Sequence, residues 1–287
     1  MKKEYILLSL LTILFISCEK EITVDLPKSK SSLVVEASIN QQFLNLNYVY
    51  ITRTLDYFNP DLSMNGVKNA LVYITPGQIN NMDTIWDESQ RIQLYDISTI
   101  PIIDSFLIGI SGIYYNPLLI PQAGIPYKLD IEADGEKVFG VTSIPNPVPI
   151  DTVYWKQIIN DNDTGMVFTF EYTDPIEQNN YRLAVYNGSS PFLLGWGSAS
   201  FYRTFDDALL NGIKRPYTFL SPFKYGDTLS IYLNSIGRKE YLFWESYVKA
   251  ANNGGPFSTP VTVKSTLSGA IGTFTGYGTS YKRVILK

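Results

Sequence analysis

The sequence predicts an all-β protein, two β-sandwich-like domains in tandem, with one accessory helix in the second. Three observations predict it. The dominant hydrophobic period is two rather than 3.6, the signature of half-buried strands. Short runs rich in β-branched and aromatic residues recur between Gly, Pro, Asn and Asp clusters. A single stretch breaks this pattern with helical spacing.

Residues 33–39, 45–55, 70–75 and 91–97 read as the first strands. The clearest alternation follows them: Tyr127, Leu129, Ile131 and Ala133 are apolar while Lys128, Asp130, Glu132 and Asp134 are charged, so one face is buried and one solvated. In 144–150 three prolines stand at alternating positions, which favours an extended, semi-rigid connector. Beyond it, 166–172, 181–186 and 271–277 read as strands, as do Leu229, Ile231 and Leu233 alternating with Ser230, Tyr232 and Asn234. The helix is expected over 238–251: Tyr241, Trp244, Val248 and Ala251 form one stripe, Glu245 sits one turn before Lys249, and 252–256 (Asn-Asn-Gly-Gly-Pro) stops it. Its aromatic stripe reads as a packing face, with a ligand groove as the other use. The layout is a leader at 1–17, a tether at 18–32, a sandwich at 33–144, a connector at 145–150 and a β-rich domain at 151–287.

The amino terminus has the order of a lipoprotein signal peptide: Lys2 and Lys3, an apolar run over 5–16, the small Ser17, then Cys18, the only cysteine. The run is too short for a membrane span, which needs about 20 apolar residues. An ordinary cleaved secretory peptide remains the other reading, since Phe15 and Ile16 are bulky for the approach to the cysteine. Cys18 is thus the expected lipid-attachment residue, and the mature chain is expected to be anchored to a membrane rather than to span it.

Loss of Lys2, Lys3 and Glu4 with the leader moves the formal charge from −4 to −5. No basic field for nucleic acid exists. With one cysteine there is no internal disulfide, and with no histidine there is no Ser-His-Asp triad, Cys-His pair or His-ligated metal. Carboxylate chemistry, oxygen-ligated calcium, a Ser-Lys arrangement or pure binding survive, and no catalytic residue, cofactor or metal ligand is assigned. Asp161-Asn162-Asp163-Thr164-Gly165 has oxygen donors but no distal bidentate Glu, and reads as a hairpin turn. Asp206-Asp207 is a carboxylate pair whose side chains would point apart in a strand. Tyr is the commonest aromatic, 21 against 15 Phe and 4 Trp, so stacking surfaces are open to Tyr48, Tyr50, Tyr57, Phe58, Tyr114 and Tyr115. Trp196, Phe201 and Tyr202, in the Gly/Ser-rich stretch 188–202, are further candidates; sandwich packing is the competing role for all of them.

Several segments together resemble a family of Bacteroidota lipoproteins, the domain of unknown function numbered forty-two forty-nine. They are Cys18-Glu19-Lys20-Glu21-Ile22, Val24-Asp25-Leu26-Pro27, Leu33-Val34-Val35-Glu36-Ala37 and Gly124-Ile125-Pro126-Tyr127-Lys128-Leu129. The connector 144–151, Phe205-Asp206-Asp207 with Asn211-Gly212, and the helix at 241–247 extend the likeness. Its most distinctive part is Asn253-Gly254-Gly255-Pro256-Phe257-Ser258 through Gly269-Ala270-Ile271-Gly272-Thr273-Phe274. The resemblance implies an outer-membrane lipoprotein whose first sandwich is similar to transthyretin-like or carboxypeptidase-regulatory modules, associated with TonB-dependent receptors and without established catalytic residues. The acidic start after Cys18 resembles the tag that exports some of these lipoproteins to the cell surface.

The expectation is therefore a non-enzymatic accessory to a TonB-dependent transport system that binds a small molecule, a glycan or a partner protein. A surface adhesin and a carboxylate-dependent glycan hydrolase are the alternatives.

Overall fold

The structure, a computed structural model, describes residues 31–55, 66–81, 83–99, 111–160, 163–188, 199–208, 212–221, 223–253 and 259–287. The expected leader, Cys18 and nearly all of the expected tether lie outside them, as do Tyr57, Phe58, Trp196 and residues 254–258.

The all-β expectation holds: among the described residues there are sixteen strands and one α-helix. In the first half, β1 (Leu33–Asn40), β2 (Tyr48–Arg53) and β6 (Ile113–Tyr115) run side by side. The pairing path continues through β5 (Ile92–Asp96), β3 (Leu71–Asn80), β7 (Pro126–Ala133) and β8 (Glu136–Ser143), with β4 (Asp83–Trp86) beside β3. The period-two pattern explains the packing. Leu33, Val35, Ala37 and Ile39 of β1 are at most 1% exposed and meet Val72, Ile74, Leu129 and Ile131 in one core. Val34 and Glu36 turn to the opposite face.

In the second half, β9 (Ile150–Asn160), β10 (Asp163–Thr173) and β13 (Lys214–Ser221) form a separate three-stranded sheet. It covers one face of β11 (Asn180–Asn187), β12 (Phe201–Asp206) and β14 (Thr228–Ile236). Phe168, Phe170 and Tyr172 of β10 fill this second core against Tyr181, Leu183 and Val185 of β11 and Leu229, Ile231 and Leu233 of β14. β9 and β10 are joined as a hairpin across 161–162.

Ser31–Lys287 forms one compact unit. The last strand, β16 (Ile271–Ile285), explains why. Over 271–277 it lies parallel to β1, and over 278–285 antiparallel to β14, so it belongs to both halves. A buried polar chain marks the change of partner: Asn40 Nδ2 donates to Thr279 Oγ1 (2.7 Å), which donates to Asn234 Oδ1 (2.5 Å). The proline connector is extended but not free. Ile144 lies in the first core, Val148 and Ile150 lie in the second, and the backbone crosses β16 where no Cβ would fit, Ser143 at the end of β8 against Gly276 and Pro145 of the connector against Gly278. The two-residue β15 (Leu267–Ser268) closes the edge of β8.

The helix α1 (Arg238–Ala251) packs against β11, β12 and β16, placing Phe243 and Trp244 in a third cluster with Tyr48, Tyr186, Tyr232 and Tyr277. Its buried stripe is turned relative to the expected one: Glu240, Phe243, Trp244 and Ser246 are buried, whereas Ala251 is exposed. The cause is at its amino end. Gly237 offers no capping side chain, so Glu240 folds back onto its own N–H and accepts the Thr142 hydroxyl at 2.9 Å. Thr142 in turn accepts the Gly276 N–H at 3.1 Å, tying helix, β8 and β16 together. The expected Glu245–Lys249 pair is present at 3.6 Å.

Candidate functional site

β14 borders only 278–285 of β16, and beside the start of that strand a groove opens with a volume of about 450 Å³. Three walls build it. From β1 and β2 come Val34, Glu36, Tyr50 and Thr52, which share a face because Val34 pairs with Thr52 and Glu36 with Tyr50. From β11 and β12 come Arg182, Thr204 and Tyr202, matched the same way by the Arg182–Thr204 and Ala184–Tyr202 register. The third wall is the helix, with Phe243, Trp244, Tyr247 and Val248. Tyr202 and Tyr247 are each nearly half exposed at the mouth.

The lining is largely apolar and aromatic and carries one acid and one base. Glu36, half-buried, accepts the Tyr48 hydroxyl at 2.8 Å and has no ion-pair partner among the described residues. Burial, and then the Glu36 charge, hold the Tyr48 hydroxyl well above its ordinary pKa, so it stays a neutral donor. The same two causes raise Tyr50. Arg182 is only 5% exposed: its guanidinium lies 3.6 Å from the Trp244 ring centroid and donates to the Tyr277 hydroxyl at 3.1 Å. A buried guanidinium needs such partners, since the desolvation of a lone charge costs several kcal/mol.

Two other hollows, of about 550 and 600 Å³, lie on the first half. The smaller is walled largely by charged residues, several of them paired. Lys128 pairs with Glu88 at 2.8 Å and Asp130 at 3.5 Å, and Arg91 covers the Tyr73 ring at 4.1 Å. The larger is mainly polar with exposed Leu118 and Ile120 at its rim. Neither gathers as much aromatic surface as the groove, which is lined by Tyr50, Tyr202, Phe243, Trp244 and Tyr247.

The residues singled out from sequence divide sharply. Tyr48 and Tyr114 are core, and Phe201 stacks on Phe219 with centroids 4.1 Å apart. Tyr115 is half-buried in the third cluster, while Tyr50 and Tyr202 reach the groove. Asp206 and Asp207 point apart: Asp206 meets Arg238 at 2.9 Å on the surface, whereas Asp207, 1% exposed, accepts the Asn179 N–H at 2.7 Å. Asp207 instead neighbours Asp174, whose pKa is raised by burial and by that second carboxylate, against the Tyr181 hydroxyl bonded to it at 2.6 Å. This acid pair is sealed inside the second half and out of reach of a substrate. Among the described residues no group of three or more acids, cysteines or histidines could hold a metal, and no helix is long and apolar enough to cross a membrane. The side chains of 161–165 and of Cys18 are not among those described.

Glu36 and Arg182 were not picked out as site residues by the sequence reading. Their signal is a charge inside a strand that is otherwise apolar, Leu-Val-Val-Glu-Ala and Tyr-Arg-Leu-Ala-Val-Tyr.

A family described as Domain of unknown function (DUF4249) matches residues 19–283. The chain belongs to the DUF4249 family. That match spans all three walls of the groove, the first core and all of the second core but Val284 and Leu286. No curated protein matches the chain.

Proposed function

We propose that this DUF4249 protein is a lipid-anchored envelope protein that binds, rather than transforms, a ligand in the groove between α1 and the β1–β2 and β11–β12 faces. The observation that carries the reading is the lining itself, an apolar aromatic slot with a single carboxylate. Slots of about 300–1,000 Å³ with few polar groups are the common form of small-ligand sites. Hydrolysis of a glycan by paired acids needs two carboxyl groups across one cleft, and Glu36 is the one acid in this lining. The signal-like start ending at Cys18 supports anchoring in the outer membrane, and the family resemblance supports service to a TonB-dependent receptor.

The test is purification of the full chain from membranes in mild detergent, alongside uptake measurements in a deletion strain carrying either the wild-type chain or a groove-filling Val248→Trp variant. The reading expects a receptor to co-purify and uptake to fall in both the deletion and the variant. A chain that emerges alone, with uptake intact after deletion, removes the transport role.

A further inference from the structure

We propose that the groove takes an organic cation, an ammonium or guanidinium group on an apolar body, with Glu36 as its counter-charge. The inference rests on the groove being the binding site and names the chemistry that site selects.

Charge complementarity is the first argument. Glu36 is half-buried, its described partner is one tyrosine hydroxyl, and no Lys or Arg among the described residues lies within ion-pair distance. A carboxylate accepts at two oxygens in about four directions, so Glu36 retains capacity toward the groove. A cation seated there gains a charge-assisted hydrogen bond, stronger than a neutral one and strengthened by the apolar surroundings.

The walls supply the second argument. Tyr247, Tyr50 and Tyr202 line the same groove as that carboxylate, and an aromatic face attracts a cation within about 6 Å of its centre. The protein already uses this attraction at the site: Arg182 lies on Trp244 at 3.6 Å. Arg182 is also the reason an anion is disfavoured as ligand. It is the one base in the lining, yet it is 5% exposed, with Trp244 over its face and the Tyr277 hydroxyl on its edge. A strongly polar ligand such as a free sugar would leave most of its hydroxyls against apolar side chains, where unpaired polar groups are costly.

Calorimetric titration of the full chain tests this with phenethylammonium, its neutral isostere 2-phenylethanol and the anion 3-phenylpropanoate. The cation is expected to bind about tenfold or more tightly than either competitor, the scale of one cation–π contact plus one charge-assisted bond. Glu36→Gln, which keeps an acceptor for Tyr48, is expected to erase that preference, and Tyr202→Ala at the exposed mouth to weaken the cation with little effect on folding. Equal or tighter binding of the neutral or anionic probe, a preference that survives Glu36→Gln, or no binding of the cation overturns the proposal. Val248→Trp separates the two levels. If a non-cationic probe binds the wild-type chain as tightly as the cation and Val248→Trp abolishes that binding, the cation class is wrong and the groove stands; if every probe binds the variant as before, the groove itself is wrong.

Discussion

Gly278→Ala is the sharpest test of how the two halves are joined. A Cβ at this position would lie 2.0 Å from the Pro145 carbonyl oxygen and 3.0 Å from its carbon. Ordinary contact begins near 3.4 Å, so the connector and β16 would have to separate by about 1.4 Å. Neither can do so cheaply. Gly278 is paired with Ser235 of β14 and adjoins the Thr279 polar chain, while Pro145 is flanked by Ile144, which is fully buried. The clash is backbone against side-chain stem, with no rotamer to relieve it, so the cost belongs near the top of the overpacking range, about 3 kcal/mol. For a chain of this size that is a fall in Tm of about 6–12 °C. Gly135→Ala is the control: its φ is 78° with open space around the new methyl, so it carries only the left-handed backbone penalty of about 1 kcal/mol, or about 2–4 °C. Circular dichroism melts of both variants decide the matter. If Gly278→Ala melts no lower than Gly135→Ala, the connector is not clamped on β16 and the argument for one joined unit fails.

Three other outcomes follow from buried polar groups and from the anchor. Thr279→Val should cost about 2–4 kcal/mol, because it leaves the Asn40 amide and the Asn234 oxygen buried with a partner missing; urea unfolding measures it, and a loss under 1 kcal/mol would mean the polar chain is dispensable. Burial raises the pKa of Glu240, and burial with the Asp207 charge raises that of Asp174, so both bind protons more tightly when folded. Their contribution is full below the unfolded carboxyl values of about 4 and is lost as pH rises through the folded ones. Acidification from neutral pH should therefore raise the Tm of the wild-type chain relative to Glu240→Gln and Asp174→Asn; parallel melting profiles for variants and wild type would contradict this. Cys18→Ser should release the chain from the membrane fraction, and mass spectrometry of the wild-type amino terminus should find Cys18 acylated; an unmodified terminus elsewhere would remove the anchor.

The sequence made individual strands legible where one face met a core and the other met water. Tyr127, Leu129, Ile131 and Ala133 are buried as their alternation required. The pattern misled where both faces were covered: Ser230, Tyr232 and Asn234 looked solvent-facing in β14 but are buried, because Phe43, Tyr186 and Tyr281 pack on Tyr232, Ser230 bonds the Gly188 carbonyl, and Asn234 bonds Thr279 and the Arg182 carbonyl. It was also silent where strands were polar or irregular, as in Lys214–Ser221 and Ile150–Asn160. The helix bounds were clear from the apolar spacing and the glycine-rich stop, but its rotation was not, since it depends on Glu240 finding Thr142 in β8. The groove was illegible for a related reason. Its walls come from strands and a helix far apart in the chain, and register alone brings Glu36, Tyr50, Arg182 and Thr204 to the faces that line it.

The shared last strand also sets the order in which the molecule can be completed. Asn40 and Thr279 are 239 positions apart, and β1 lacks its parallel neighbour until the final residues have been made. Pairing over such a separation is slow, because the entropy of closing the loop must be overcome before any contact repays it. During that interval one margin of β1 is an open template for other strands. Any truncation that removes residues 271–285 would therefore strip the first half of its closing strand as well as the second, so a chain cut just before residue 271 should be as badly damaged as one cut between the two halves.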